Sequence, residues 1–207
     1  MADQETTIKG RPRPFPPQAT PFLGREHELS EVIARLRDPD CRLLSLIGPG
    51  GIGKTRLAME VSARLEGTDE FPDGVHLVPL QSVAEGDHLA SAIAESLEIG
   101  LSGAEDPSTQ VLNYLRDKKL LLVLDNVEQL VDEDGLGLIS KLIQIAPRVK
   151  LLTTSRRVLQ LSAEWRYPIQ GLPVPAQEDI DGAESFDAVK LFIASAQRVQ
   201  PDFKAED

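Results

Sequence analysis

Apolar residues in this chain follow two patterns, short continuous runs and longer stretches with helical spacing. The continuous runs are typical of strands buried on both faces of a sheet, and they lie at 43–47, 120–125 and 149–154. The segment 74–80 predicts a further strand, and a weaker pattern near 165–169 predicts another. Helical spacing predicts helices at 25–37, 56–65, 86–98, 107–118 and 184–199. In the last of these, the expected buried positions are Val189, Leu191, Phe192, Ala196 and Val199.

The predicted strands and helices alternate along the chain. This order indicates an α/β domain with a mainly parallel sheet, right-handed crossovers and a ligand site at the carboxyl ends of the strands. Residues 1–21 stand apart, because they hold five of the fifteen prolines and show no apolar periodicity. We interpret them as an extended linker or arm.

A glycine-rich segment follows the first strand directly. It reads Gly48-Pro49-Gly50-Gly51-Ile52-Gly53-Lys54-Thr55 and matches G-x-x-x-x-G-K-T at every position. Glycines allow the backbone N–H groups to converge on an anion at the start of the next helix. Lys54 is placed to reach the β and γ phosphates of a nucleotide, and the Thr55 hydroxyl to bind Mg²⁺. The predicted nucleotide-binding residues here are Pro49, Gly50, Gly51, Ile52, Gly53, Lys54, Thr55 and Arg56.

Two charged residues end the next apolar strands. Asp125 closes the run at 120–125, where a carboxylate can hold Mg²⁺, although an Asp there can also cap the following helix. Arg156 follows the run at 149–154. In this kind of sheet that strand lies beside the loop-bearing one, so its end points toward the γ phosphate. The alternative is an ordinary surface arginine. We assign Lys54, Asp125 and Arg156 to catalysis, and Thr55 and Asp125 to the metal.

The residue after Asp125 is Asn126, where many ATPases carry a second acid that activates water. An amide cannot accept a proton at neutral pH, so the usual general base is missing from its usual place. Glu128 and the cluster Asp132-Glu133-Asp134 are nearby acids that could replace it. We therefore expect slow hydrolysis.

Composition limits the expected partners and the expected cellular location. Asp and Glu outnumber Lys and Arg by 33 to 22, giving a net charge of −11, which disfavours direct nucleic-acid binding. The single cysteine, Cys41, excludes an internal disulfide. No apolar stretch is long enough for a membrane span, and the start lacks signal-peptide features. A cytoplasmic location is expected.

Four segments together resemble a known family. They are Phe22-Leu23-Gly24-Arg25-Glu26-His27-Glu28-Leu29, the loop at 48–55, Leu122-Val123-Leu124-Asp125-Asn126, and Thr153-Thr154-Ser155-Arg156. Their order is similar to the STAND class of signal-transducing NTPases, in particular to NB-ARC-like bacterial regulators, over roughly residues 20–200.

The resemblance implies more than the motifs alone. It implies a three-layer α/β/α P-loop fold with a five-stranded sheet of the additional-strand (ASCE/AAA-like) type, over residues 22–183. Residues 184–207 are then the start of a helical lid. It also implies adenine contacts, mainly through backbone, and a γ-phosphate sensor at Arg156; the adenine contacts are Phe22, Leu23, Gly24 and Arg25. Finally, it implies an ATP/ADP switch that oligomerises with ATP and drives effector and sensor domains, which are missing here.

Other readings remain open at this stage. A transporter-type ATPase is suggested by the segment 101–105, but the second glycine and the glutamine of that family's signature are absent. A GTP-binding switch needs an Asn-Lys-x-Asp segment, which the sequence lacks. A small-molecule kinase also uses a phosphate loop. A non-switching interaction domain could bind nucleotide as a structural ligand.

Overall fold

The computed structural model describes residues 21–80, 87–103, 105–129, 133–176 and 182–204. Almost all of the predicted proline-rich arm, residues 1–20, lies outside these ranges. The helices are α1 (Glu26–Arg37), α2 (Lys54–Leu65), α3 (Asp87–Ser96), α4 (Pro107–Leu115), α5 (Glu133–Ile145) and α6 (Asp187–Val199). The strands are β1 (Leu43–Ile47), β2 (Val75–Pro79), β3 (Leu121–Asp125), β4 (Lys150–Ser155) and β5 (Glu164–Pro168). The predicted elements are all present, and α5 is an additional one.

The strands form one five-stranded sheet in the order β2-β3-β4-β1-β5, with every neighbouring pair parallel. This confirms the predicted sheet type, because β4 is inserted between the loop-bearing strand β1 and the acid-bearing strand β3. The pairing Ile47–Ser155 and the pairing Leu124–Thr153 place the carboxyl ends of β1, β3 and β4 at the same edge.

Helices cover both faces of the sheet. Within β3, Leu122 and Leu124 face a core built with α3, α4 and α5, whereas Leu121 and Val123 face a core built with α1 and α2. Alternate side chains thus enter two different cores, which explains why the run is continuously apolar. The result is a three-layer α/β/α arrangement with the carboxyl ends of β1, β3 and β4 at one edge of the sheet.

Helix α6 does not bury its apolar face, contrary to the sequence-based expectation. Val189, Leu191 and Ala196 are partly exposed, while Phe192 is 62% and Val199 89% exposed. None of its residues belongs to either core of the described chain, and its first residues instead meet the segment before α1. An amphipathic pattern identifies the apolar face of a helix but not what covers that face. None of the described helices is long and apolar enough to cross a membrane.

Candidate nucleotide-binding site

The glycine loop connects the end of β1 to the start of α2. Gly51 (φ +77°) and Gly53 (φ +97°) adopt left-handed backbone conformations that favour glycine. Gly53 is the residue before α2, and no described side chain caps the helix there. The amino end of α2 therefore presents backbone N–H groups and the positive end of the helix dipole to the loop, which favours binding of an anion.

Lys54 is the first residue of α2 and lies against the loop. Its Nζ donates hydrogen bonds to the backbone oxygens of Gly48 and Pro49, both at 2.9 Å. Burial lowers the pKa of Lys54, while the nearby carboxylates of Glu128 and Asp125 oppose that shift. An ammonium group has three donors, so one remains for a further acceptor in the site.

Thr55 and Asp125 meet across the site. The Thr55 hydroxyl donates to Oδ1 of Asp125 at 2.7 Å, and the Thr154 hydroxyl donates to the same oxygen at 2.5 Å. Asp125 is only 3% exposed. A buried carboxylate beside a hydroxyl is an all-oxygen donor set, which suits a hard divalent cation such as Mg²⁺. These two residues therefore fit the metal role expected of them.

Asn126 has an unusual backbone. Its φ is +63°, a left-handed conformation that Asn tolerates better than most residues, and its N–H donates to Oγ1 of Thr154 at 2.9 Å. Thr154 thereby links Asn126 to Asp125 and orients the end of β3. Sequence reasoning did not single out Thr154 itself, although it lies in the Thr-Thr-Ser-Arg segment.

Arg156 follows β4 and lies against the glycine loop. Its guanidinium lies against Gly50, where an added Cβ would come within 3.3 Å of Nη2. Nε of Arg156 lies 3.2 Å from Oε1 of Glu128. The Arg156 side chain is 67% exposed, whereas that of Glu128 is 15% exposed. This ion pair was not predicted, because Glu128 reaches Arg156 only through the turn that follows β3.

Two adjacent cavities lie at the loop. One of about 390 Å³ is on the phosphate side and is lined by Gly50, Gly51, Gly53, Lys54, Thr55, Arg56, Met59, Asn126 and Arg156. The other, about 480 Å³, contains Phe22, Leu23 and Ile52 in its wall together with Leu172, Ala188 and Leu191. Gly51, Gly53 and Arg56 line both. A polar and an apolar compartment that share a wall match the two ends of a nucleotide. The contributions of Leu172, Ala188 and Leu191 were not predicted.

Arg25 and Gly24 connect the segments that surround the apolar cavity. The Arg25 guanidinium donates to the backbone oxygens of Ile52 (3.0 Å) and Gln170 (2.7 Å) and pairs with Glu28. Arg25 thus ties the start of α1 to the phosphate loop. Gly24 has φ +70°, and a Cβ on it would lie 2.8 Å from Cγ of Asp187. The segment before α1 and the start of α6 are in tight contact.

A larger cavity of about 800 Å³ lies elsewhere, near the amino end of β2. Its wall includes Phe71, His76, Tyr114 and Lys118, and none of the predicted site residues lines it. The segment 101–105 is not part of the site either, as far as its described residues go. Ser102 is bonded to Gln110 of α4 instead.

The phosphate loop after β1, the acid at the end of β3 and the strand inserted between them define a P-loop NTPase. The NB-ARC domain family model matches residues 25–166, which is more than half of the chain. The chain therefore belongs to the NB-ARC family, and it is a nucleotide-binding NTPase domain.

Two longer proteins illustrate its relatives. An uncharacterized protein of Mycobacterium tuberculosis is 32% identical over 186 residues, which cover 89% of this chain and 43% of that protein. An uncharacterized WD repeat-containing protein of Nostoc is 25% identical over 210 residues, covering 89% of this chain and 17% of that protein. The chain spans less than half the length of these relatives.

A solved structure supports the fold. Cdc6p from Pyrobaculum aerophilum matches with a TM-score of 0.57 at 19% identity, over 76% of this chain and 47% of that chain. At that identity the likeness concerns the fold alone.

Proposed function

We propose that this chain is the ATP/ADP-binding domain of a STAND-class signalling NTPase, acting as a slow nucleotide-dependent switch. One observation carries the proposal. Lys54, Arg156 and the pair Thr55–Asp125 converge at one edge of the sheet, beside an apolar cavity of about 480 Å³. That arrangement suits a nucleotide with its phosphates on α2 and its base in the apolar cavity.

The choice of adenine rests on the lining of the apolar cavity. Phe22, Leu23 and Leu191 offer apolar contacts to a flat base. The backbone of residues 22–25 is the proposed source of specific contacts, by the family resemblance. We assign residues 22–183 to the nucleotide-binding domain and the segment from 184 onward to the start of the lid.

Three positive groups would contact the phosphates of a bound nucleotide. Lys54 would bind the β and γ phosphates once they draw its Nζ from the loop carbonyls. Arg156, already against Gly50, would bind the γ phosphate. Thr55 and Asp125 would hold Mg²⁺, which would help to neutralise the charge of the phosphates. ATP would therefore gain contacts that ADP lacks.

These contacts are large enough for a switch. Moving a two-state equilibrium from 1:99 to 99:1 requires about 5.5 kcal/mol of differential affinity. Charge-assisted hydrogen bonds contribute about 1.5–3 kcal/mol each, so a few of them to the γ phosphate reach that total. The start of α6 lines the apolar cavity and contacts Gly24. The proposed lid would therefore contact a nucleotide bound there directly.

Slow hydrolysis is part of the proposal because Asn126 replaces the usual acid. A long-lived ATP state is useful to a switch, since the signal lasts as long as the γ phosphate. The greater length of the relatives suggests attached sensor and effector domains, as in the WD repeat-containing protein of Nostoc. Nucleotide-dependent self-association of the full-length protein would be the output.

The switch is tested by comparing two nucleotide states of the same protein. We expect hydrogen exchange at residues 126–129 and 154–157 to differ between the ADP complex and the complex with a non-hydrolysable ATP analogue. Light scattering on the same samples reports self-association. Identical exchange and identical mass in both states would leave a nucleotide-binding domain without a switch. Absence of binding to either nucleotide would overturn the whole proposal.

A further inference from the structure

Glu128 occupies an unusual place beside the phosphate loop. It lies in the short 3₁₀ helix Val127–Gln129 that follows β3, and its side chain is 15% exposed. Oε1 pairs with Arg156 at 3.2 Å, while Oε2 is buried and has no hydrogen-bond partner among the described residues. A buried carboxylate oxygen without a donor is costly, so Oε2 points to a partner that is present only in a bound state.

Two cations that line the phosphate-side cavity interact with Glu128. Arg156 is its ion-pair partner, and the carboxylate also attracts the Lys54 ammonium, although burial is the larger effect and lowers the pKa of that lysine. Both cations line the phosphate-side cavity. Glu128 is not among the described residues that line this cavity, and it is connected to the cavity through its ion pair with Arg156.

Other groups in this region are poorly suited to accept a proton. Oδ1 of Asp125 already accepts hydrogen bonds from Thr55 and Thr154. The side chain of Asn126 is an amide. In the acidic cluster, Asp134 is exposed on α5, and Asp132 lies outside the described residues.

We propose that Glu128 is the general base for ATP hydrolysis, and that its ion pair with Arg156 restrains it until a γ phosphate draws the guanidinium away. This inference rests on the proposed function. Oε2 takes a proton from a water molecule as the water oxygen attacks the γ phosphorus. The bond from that phosphorus to the β,γ-bridging oxygen breaks, and its electron pair leaves with ADP. Glu128 later returns the proton to solvent, and inorganic phosphate departs.

The same ion pair sets a preference between nucleotides. The γ phosphate must compete with Glu128 for Arg156, and the two anions repel each other at close range. Glu128 therefore weakens ATP binding relative to ADP, as well as enabling hydrolysis. A glutamate that only pairs with Arg156 would produce the preference between nucleotides but would not enable hydrolysis.

The test uses Glu128→Gln, which keeps the shape of the side chain and removes its charge. In a single-turnover assay with Mg²⁺ and labelled ATP, we expect conversion to slow by about 100-fold or more, so that bound label is recovered as ATP. In equilibrium titrations, the affinity for a non-hydrolysable ATP analogue should rise about fivefold while ADP affinity stays unchanged. Glu95→Gln, an exposed carboxylate on α3, is the matched control and should behave as wild type.

Several outcomes would overturn the inference. Wild-type conversion by Glu128→Gln would remove Glu128 from the reaction, as would loss of conversion in Asp134→Asn instead. Equal loss of ATP and ADP binding in Glu128→Gln would assign the residue a structural role. Binding of ATP by the wild type without any conversion would also exclude a base. Failure of the wild type to bind either nucleotide would instead contradict the proposed function.

Discussion

The hydroxyl of Thr55 lies 2.7 Å from Oδ1 of Asp125, although the two residues are 70 positions apart in the sequence. The contact joins the first turn of α2 to the carboxyl end of β3. In the sheet only β4 lies between β1 and β3. A helix that starts after β1 can therefore bring its first turn to the carboxyl end of β3. This pair is the proposed metal site.

Asp125→Asn should therefore uncouple nucleotide binding from Mg²⁺. The amide keeps the size of the side chain but removes the charge that holds the ion. We expect the Mg²⁺-dependent part of ATP affinity to fall by about 10- to 100-fold, from the value of one charge-assisted contact. Titrations of ATP with Mg²⁺ and with a chelator measure it. An unchanged Mg²⁺ dependence would place the ion elsewhere.

Arg156→Ala should weaken ATP more than ADP, because the guanidinium is proposed to contact the γ phosphate. The expected loss for ATP is about 10-fold or more, with little change for ADP. Arg157→Ala is the matched control, since Arg157 is also exposed and is adjacent in the chain. Equal losses for both nucleotides would remove Arg156 from the role of sensor.

Leu191→Arg tests the apolar cavity. Leu191 lines that cavity from α6, so a longer, charged side chain there should weaken ADP and ATP alike, by about 10-fold. Phe192→Arg is the control on the next residue, which is 62% exposed. If both variants bind as wild type does, the base does not lie in this cavity.

Gly24→Ala should destabilise the protein. Alanine is strained at φ +70°, and its Cβ would collide with Asp187. We expect the free energy of unfolding to fall by about 1–3 kcal/mol, seen as a lower Tm. Gly137→Ala in α5 is the control, because a Cβ there meets no atom within 4 Å and alanine favours helix. A Gly24→Ala variant as stable as wild type would show that the contact with α6 yields easily.

Much of this fold could be predicted from the sequence because its strands are buried on both faces. Continuous runs such as Leu121–Asp125 have few alternatives, and the glycine loop fixes the order of strand, loop and helix. The loop residues and Asp125 follow from that order. The position of Arg156 beside the loop follows from β4 lying next to β1, while its role toward a γ phosphate stays a prediction.

The remaining features depend on contacts that no local pattern encodes. The ion pair between Glu128 and Arg156 requires the 3₁₀ turn after β3 to direct a side chain back toward the loop. The exposed face of α6 is another such case. The amphipathic spacing of residues 187–199 correctly predicted a helix, but the prediction that its apolar face is buried was wrong. Arg25 illustrates a third case. The sequence predicts that Arg25 contacts the adenine, mainly through its backbone, but it does not predict the hydrogen bonds of its side chain to Ile52 and Gln170.

The most direct test of the central claim is a single-turnover experiment with labelled ATP, Mg²⁺ and excess protein, following both bound label and its conversion to ADP. We predict that wild type retains the label and converts it over minutes, while Lys54→Ala binds the triphosphate about 10- to 100-fold more weakly. Lys141→Ala, an exposed lysine on α5, should match wild type. No retained label, or equal retention by Lys54→Ala, would contradict nucleotide binding at this loop. Conversion at about 1 per second or faster would contradict a slow switch.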